Sequence, residues 1–271
     1  PMNKPPSLIK WTGSKRLQSI EISKHFPQAK RYHEPFLGGG SVLFFATKHF
    51  DDCIASDIYT PLITLWSRVK NEPEIVIDTY RKEWKSLQQD FPKYYYKVRE
   101  RFNEKQSEHD LLFLSRTCAN GIIRFNNKGE FNNSLHVTRK GMNPNNFERI
   151  VIEWSKQLVN TTFLNTDYSE LINNANKEDF FYLDPPYYNS KNRYMNNLKY
   201  DCFLDFLEKL NSKGSKWALS FDGTRGNEDL TVDIPKELYK HHYYLQTGNS
   251  AVKKVLTSKL EKVSESLYLN Y

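Results

Sequence analysis

A buried strand with an abrupt end is indicated by residues 181–187, which read FYLDPPY. The apolar side chains before Asp184 are typical of a strand enclosed in a core, and the two prolines after it cannot continue that strand. Asp184 is therefore expected at the carboxyl end of a strand, where open α/β sheets bind their ligands.

Other short runs of β-branched and aromatic residues alternate with helical spacing along the chain. The predicted strands are residues 31–34, 53–56, 161–164, 180–183, 217–221, 242–246 and 266–271. The predicted helices are residues 41–49, 61–70, 147–158 and 203–210. This alternation predicts an α/β fold with an open, mostly parallel, seven-stranded sheet that helices cover on both faces. Because no convincing helix joins the last two strands, they are expected to pair antiparallel at one edge.

Residues 72–146 interrupt this alternation. Up to about Arg116 their spacing is helical, and a polar stretch rich in Asn, Arg and Lys follows over residues 120–146. We interpret residues 72–146 as a helical insertion that ends in an exposed loop or hairpin. It would divide a main domain formed by residues 1–71 and 147–271.

The composition limits the classes of protein to consider. No run approaches the roughly 18 apolar residues of a transmembrane helix, and the N-terminal residues carry no apolar segment of the secretory type. The net charge of +7 and the 14% aromatic content favour a polyanionic partner. Three widely spaced cysteines and seven histidines form no metal-ligand spacing and no disulfide framework. We therefore expect no metal and no membrane partner, and a cytoplasmic location.

The residue types at 184–187 suit one kind of chemistry. The Asp184 carboxylate and the Pro185 carbonyl can together accept both hydrogens of an amino group, and Tyr187 can stack on the ring that bears it. An amine on an aromatic base is a poor nucleophile because its lone pair is delocalised into the ring. Two acceptors that draw its hydrogens out of the ring plane would localise this pair, so that positioning and electrostatics supply most of the catalysis. A capping Asp in a plain Pro-Pro turn is the structural alternative.

A glycine-rich turn, EPFLGGGS at residues 34–41, joins a predicted strand to a predicted helix. Its glycines would let the backbone approach a nucleotide-like ligand closely. Asp57 ends the next predicted strand, where an acid usually accepts ribose hydroxyls. The phosphate-binding pattern G-x-G-x-x-G is absent, which favours a nucleoside without phosphates over a nicotinamide dinucleotide. Upstream, Trp11 offers a stacking face, and Lys15 offers a cation for a carboxylate of such a ligand.

Four segments occur in a characteristic order: KWTGSK at 10–15, EPFLGGG at 34–40, NGIIRFN at 120–126 and DPPY at 184–187. Their order and spacing resemble the Dam-like family of DNA N6-adenine methyltransferases, over nearly the whole chain. The resemblance implies a Rossmann-like methyltransferase fold and the conversion of S-adenosyl-L-methionine to S-adenosyl-L-homocysteine. It also implies that a flipped-out adenine of double-stranded DNA receives the methyl group, and that residues 72–146 recognise the target.

The resemblance assigns candidate site residues position by position. The catalytic candidates are Asp184, Pro185, Pro186 and Tyr187. The candidates for cofactor binding are Trp11, Lys15, Glu34, Phe36, Gly38, Gly40, Asp57, Asp167 and Tyr168. The candidates for DNA binding are Lys10, Asn120, Arg124, Asn126, Arg139 and Lys140. Among these, Arg124 is expected to read guanine, whereas Arg139 and Lys140 are expected to contact phosphates. Asp167 has a structural alternative as the cap of a helix that begins near Ser169.

Two positions depart from the family pattern. Ala119 stands where several relatives have an aromatic residue that wedges into the base stack, and residues 133–136 (NSLH) replace a usual Val-Pro-Phe-Gly. The recognised DNA sequence therefore does not follow from the resemblance. Near the C-terminus, four lysines form a basic arm that either tracks phosphate or is merely solvated: Lys253, Lys254, Lys259 and Lys262.

Two alternative functions stay open at this point. The same chemistry could act on the N4 amine of cytosine or on an amine of RNA or protein, although Asp before Pro-Pro-Tyr favours adenine. A catalytically silent DNA-binding module would keep the fold without the reaction. A cognate restriction endonuclease that acts separately is a further candidate partner.

Overall fold

The computed structural model describes residues 3–186, 198–221, 234–246 and 265–271. In this part of the chain one sheet contains β1 (Arg31–Glu34), β2 (Asp52–Asp57), β3 (Thr161–Asn165), β4 (Asp179–Leu183), β5 (Lys216–Phe221), β6 (His241–Leu245) and β7 (Glu265–Leu269). Its spatial order is β3-β2-β1-β4-β5-β7-β6. Strands β1 to β5 run parallel, and β7 lies antiparallel between β5 and β6. The expected mostly parallel sheet with an antiparallel C-terminal edge is confirmed.

The α-helices of the described residues pack around this sheet. They are α1 (Ser19–Ser23), α2 (Ser41–His49), α3 (Thr60–Asn71), α4 (Pro73–Gln89), α5 (Lys93–Lys105), α6 (Glu108–Thr117), α7 (Pro144–Gln157) and α8 (Tyr200–Ser212). The predicted strands and helices outside residues 72–146 coincide with observed ones, and their ends differ by at most about three residues.

Both faces of the sheet are covered, as the alternation along β4 illustrates. Phe180 and Tyr182 belong to a hydrophobic cluster that includes side chains of α2, α3 and α7. Phe181 and Leu183 point the other way and belong to a cluster with side chains of α8. Every residue of β4 is buried, and the run 180–183 that follows Asp179 is continuously apolar, as is typical of a strand covered on both faces.

The segment 72–146 contains α4, α5 and α6 and then folds back on itself. Buried side chains of these helices, such as Val76 and Phe102, join the same cluster as α2, α3 and α7. After α6 the chain forms a hairpin between Cys118 and Leu135. The amide of Ala119 donates to the carbonyl of Ser134 (2.8 Å), and the amide of Asn132 donates to the carbonyl of Arg124 (3.0 Å). A helical insertion with a hairpin is therefore present, whereas its separation from the main domain as a recognition unit stays a prediction.

No helix in the described ranges is both long enough and apolar enough to cross a membrane. The same residues contain no group of three or more His, Cys, Asp or Glu side chains arranged to hold a metal ion.

Candidate active site

A cavity lies at the carboxyl ends of β1 and β4. Its lining comes from three stretches of the chain, within residues 11–15, 34–42 and 182–186. Strand β1 pairs directly with β4, so the glycine turn after β1 and the Asp184 motif after β4 emerge side by side. The parallel sheet thus brings together three motifs that are far apart in the sequence.

Asp184 is held by an ion pair inside this cavity. Lys15 Nζ lies 3.1 Å from Asp184 Oδ1 and 3.1 Å from Glu265 Oε1, and it donates to the carbonyl of Gly13 at 3.2 Å. Burial raises the pKa of Asp184 to about 6, against the opposing charge of Lys15 and with a contribution in the same direction from Glu265. Lys15 was expected to meet a carboxylate of the cofactor; that contact stays a prediction, and in the structure its ammonium contacts the catalytic candidate.

Glu34 is a second buried carboxyl group at the same edge of the sheet. It ends β1, and its Oε1 accepts a hydrogen bond from the Tyr32 hydroxyl at 2.5 Å. Burial raises the pKa of Glu34 well above its usual range, and the charges of Asp184 and Asp57 raise it further, while the Tyr32 bond opposes them.

The glycine turn is shaped by backbone conformation and by Trp11. Gly38 and Gly40 have φ angles of +52° and +71°, which residues with a side chain rarely adopt. A Cβ atom on Gly38 would lie 2.8 Å from Trp11 Cδ1. Asp57 closes the turn, because its Oδ2 accepts from the Gly38 amide (3.3 Å) and its Oδ1 accepts from the Tyr59 amide (3.0 Å).

A second cavity adjoins the first one, since Phe36 and Pro186 line both. Its volume of about 620 Å³ falls within the roughly 300–1,000 Å³ that is typical of small-molecule sites. Asp57, Asp167 and Tyr168 line it as well, and the rings of Tyr168 and Phe36 lie 5.2 Å apart. The remaining cofactor candidates therefore gather around this second cavity.

Asp167 combines two features that the sequence presented as alternatives. Its carboxylate accepts from the Ser169 amide at 3.1 Å and so caps the short 3-10 helix Tyr168–Asn174. The same residue lines the second cavity. The capping role is present, and the contact with a cofactor stays a prediction.

The hairpin after α6 carries three of the six candidate DNA-binding residues, namely Asn120, Arg124 and Asn126. Arg124 is exposed, and its Nε donates to Asn132 Oδ1 at 3.3 Å. Asn126 builds the turn of the hairpin, because its Oδ1 accepts from the amides of Lys128 (2.9 Å) and Glu130 (3.0 Å). The contact of Asn126 with DNA stays a prediction, and its observed contacts are within the hairpin.

Lys10 lies against the base of this hairpin. A Cβ atom on Gly121 would be 2.6 Å from Lys10 Cδ, and the neighbouring Asn120 is exposed with a φ angle of +56°. Burial and the charges of Arg116 and Arg139 lower the pKa of Lys10. The side chains of Lys10 and Arg139 are therefore close enough for their positive charges to interact. Lys140, which follows, is exposed.

The sequence did not single out several residues that line the site. Glu265 reaches Lys15 from the start of β7, and Lys199, Asp201 and Cys202, at the start of α8, line the second cavity. None of them belongs to a local sequence motif. Predicting them would have required knowing how β7 pairs in the sheet and where α8 packs. Tyr187 and the four lysines of the basic arm lie outside the described residues.

Comparison with known proteins adds an independent observation. A family model described as "D12 class N6 adenine-specific DNA methyltransferase" matches residues 11–255. The type II methyltransferase M.MjaIII of Methanocaldococcus jannaschii is 31% identical over 289 aligned residues, which cover 96% of each chain. The DNA adenine methylase of Vibrio cholerae is 30% identical over 69% of this chain and 66% of its own length. That of Haemophilus influenzae is 32% identical over 66% of this chain and 63% of its own length.

Proposed function

The chain belongs to the D12 class of N6 adenine-specific DNA methyltransferases, and we propose that Asp184 holds the target amine during the transfer. Adenine-specific methylation of DNA, the activity expected from the sequence, is thereby confirmed. Methyl transfer in this class implies S-adenosyl-L-methionine as the donor. The alternatives of a cytosine amine, an RNA or protein acceptor and a silent binding module find no support in these comparisons.

One observation carries the assignment of Asp184. Its carboxylate lies in the cavity that also contains the glycine turn of residues 38–40, so an amine held by Asp184 would lie beside a ligand bound at that turn. A pKa of about 6 leaves the carboxylate mostly ionised at neutral pH, as an acceptor of hydrogens requires.

The residues around the two joined cavities fit the donor. At Gly38, the Trp11 ring occupies the space that a Cβ would need, so the absence of a side chain lets the turn and the Trp11 ring line the first cavity together. Trp11, Lys15, Glu34, Gly38 and Gly40 would surround its amino-acid end. The residues that would surround its nucleoside are Phe36, Asp57, Asp167 and Tyr168. When bound, S-adenosyl-L-methionine supplies an electrophilic methyl group on a sulfonium, which leaves without help from a metal and gives S-adenosyl-L-homocysteine.

The chain's own residues then prepare the amine. The Asp184 carboxylate accepts one hydrogen, and the carbonyl of Pro185 accepts the other in a direction that the rigid Pro185-Pro186 pair fixes. The lone pair of the nitrogen is thereby localised out of the ring. The nitrogen that has gained the methyl group is positively charged and releases one proton to the Asp184 carboxylate or to water. Tyr187 stacks on the base, as the sequence predicts. Because the adenine amine is paired inside a duplex, the base has to leave the helix to reach Asp184.

Recognition of double-stranded DNA is assigned to residues 72–146 together with Lys10. Arg124 would read a guanine from the hairpin, and Asn120 and Asn126 would contact the DNA beside it. Arg139 and Lys140 would contact phosphates. A restriction endonuclease partner and a cytoplasmic location stay predictions.

Replacement of the carboxylate tests the assignment directly. For Asp184→Ala we expect methyl transfer to duplex DNA to fall by at least about 100-fold, the loss typical when one preorganised polar contact is removed. Binding of S-adenosyl-L-homocysteine should stay within about threefold of wild type, a change worth less than 1 kcal/mol, because Asp184 is not among the residues assigned to the donor. Labelled methyl incorporation and calorimetric titration measure the two quantities.

The matched control is Asp51→Ala, because Asp51 is exposed just before β2, at the opposite end of the sheet. It should leave both quantities unchanged. Undiminished methylation by Asp184→Ala would refute the assignment.

A further inference from the structure

One buried ammonium is shared by two carboxylates in the active-site cavity. Lys15 is only 4% exposed, and its Nζ lies 3.1 Å from both Asp184 Oδ1 and Glu265 Oε1. A single buried cation therefore bridges the proposed amine acceptor to a carboxylate that lies in no recognised motif.

The reversed strand explains how Glu265 reaches this place. Strand β7 pairs antiparallel with β5, with Ser266 opposite Phe221, so the first residue of β7 emerges where β5 ends. Strand β5 in turn pairs parallel with β4, whose carboxyl end is followed by Asp184. Had β7 been parallel to β5, its first residue would lie at the amino ends of the parallel strands, away from Asp184.

This arrangement solves a conflict in the proposed reaction. An Asp184 carboxylate that pairs tightly with Lys15 is a weaker acceptor for the amine hydrogens, because the ammonium neutralises part of its charge and occupies Oδ1. Turning Asp184 away from Lys15 would in turn leave a buried charge less well neutralised, which is unfavourable. A second carboxylate on Lys15 removes both difficulties.

We propose that Glu265 is a positioning residue for methyl transfer, which holds the Lys15 ammonium while Asp184 accepts the hydrogens of the target amine. The inference rests on the proposed role of Asp184. Glu265 touches neither substrate in this scheme, and it acts through its contact with Lys15 and through the effect of its charge on Asp184.

The pH dependence of transfer follows from the groups that face Asp184. They are Lys15 from the N-terminal segment, Glu265 on β7, Glu34 on β1 and Tyr182 on β4. Asp184 works ionised, so activity falls as the pH drops through its pKa. Since the charge of Glu265 raises the pKa of Asp184, removing that charge should move the acidic limb to lower pH. Glu34 and Tyr182 are present in wild type and variant alike, and removing the charge of Glu265 also removes its contribution to the raised pKa of Tyr182.

The test is the single-turnover rate of methyl transfer for Glu265→Gln between pH 5 and about pH 9, the range in which a pKa near 6 is visible. At the alkaline plateau we expect a rate about 10- to 100-fold below wild type, the loss that a small misplacement of a reacting group causes. The KM values for DNA and donor should change by less than about twofold, because Glu265 makes no contact with either substrate in this scheme and the interactions that bind them before the reaction are unchanged. The acidic limb should lie at lower pH than in wild type.

Two further variants separate positioning from simple support of the fold. Glu265→Asp keeps the charge, so it should restore the wild-type acidic limb and recover part of the rate. Glu237→Gln removes an exposed carboxylate just before β6 and should change neither quantity.

A wild-type rate in Glu265→Gln, or a lower rate with an unmoved acidic limb, would overturn the positioning role. In both cases Asp184→Ala would still be inactive, so the proposed function would stand. If Asp184→Ala itself retained full activity, the proposed function and this inference would fail together.

Discussion

The turn after β1 leaves no room for a side chain at Gly38, because two constraints coincide at that residue. Its φ angle is +52°, and an added Cβ would lie 2.8 Å from Trp11 Cδ1. Gly38→Ala therefore has to displace either the backbone or Trp11, and both line the first cavity. We expect the affinity for S-adenosyl-L-homocysteine to fall by at least about tenfold, equivalent to 1.4 kcal/mol, as measured by calorimetric titration.

Gly214→Ala is the matched control for backbone strain. Gly214 also has a positive φ of +74°, but its added Cβ would make only an ordinary contact of 3.5 Å with Lys177, and it lines neither cavity. It should lower the free energy of unfolding by about 1–2 kcal/mol without loss of affinity. Unchanged affinity in Gly38→Ala would show that the turn does not approach the donor.

At this scale the sequence singled out residues that line one cavity in the structure, but it did not predict all of their contacts. Asp184, Gly38 and Lys15 were each inferred from local residue types, and all three line the first cavity. The Lys15–Glu265 pair was not inferred, because it depends on the direction of β7. A lysine beside a carboxylate can be predicted only when the tertiary neighbour is known.

Helix α5 fixes the hairpin through residues that are four apart and therefore share one face. The Tyr95 hydroxyl (2.9 Å) and the Arg99 guanidinium (3.1 Å) both donate to the carbonyl of Asn133. The Asn103 side chain donates to the carbonyl of Phe131 (3.1 Å) and accepts from its amide (2.8 Å). These bonds hold the backbone of the returning strand, so the position of Arg124 opposite it depends on α5.

Asn103→Leu should therefore weaken DNA binding without touching the donor site. Losing both bonds leaves the amide and carbonyl of Phe131 without these partners, a cost of about 1–3 kcal/mol that we expect to appear as a looser hairpin. The predicted result is a roughly tenfold weaker binding of labelled duplex in fluorescence anisotropy, equivalent to 1.4 kcal/mol, with unchanged affinity for S-adenosyl-L-homocysteine.

Glu104→Gln is the control for this variant, because Glu104 is the next residue on α5 and is exposed. It removes a negative charge, so it should leave DNA binding equal or slightly tighter. If Asn103→Leu bound duplex as well as wild type, α5 would not be the support of the hairpin.

The same hairpin shows why elements were predicted unequally. The strands of the sheet were predicted from short runs of β-branched and aromatic residues, and in β4 the apolar run 180–183 is buried throughout. From the sequence, residues 133–136 were recognised only as a departure from the family pattern, and no structural role was predicted for them. In the structure Asn133 is buried, and its Nδ2 donates to the carbonyls of Ala119 (3.0 Å) and Ile122 (2.8 Å). Its role depends on contacts across the hairpin, which residue type alone does not reveal.

For the whole molecule, strand order decides which motifs meet. The central pair β1 and β4 places the glycine turn next to Asp184, the proposed amine acceptor. The alternation of strands and helices in the sequence was sufficient to predict a parallel sheet. The order of strands was not predicted, because crossover connections leave several arrangements of the same elements open. The reversed β7 adds Glu265 to this site from the far end of the chain.

The net charge of +7 should make DNA binding depend strongly on salt, because each phosphate contact releases counterions. Replacing one phosphate-contacting cation should reduce the slope of log affinity against log salt concentration by about 0.9. We expect this for Arg139→Ala, together with an equal loss of affinity for all duplexes, as measured by anisotropy between about 50 and 200 mM salt.

Arg124→Ala should instead change the order of affinities for duplexes of different sequence, since base contacts carry specificity. Lys30→Ala, an exposed site before β1 at the opposite end of the sheet, should change neither slope nor ranking. A changed ranking in Arg139→Ala with an unchanged one in Arg124→Ala would exchange the two assignments.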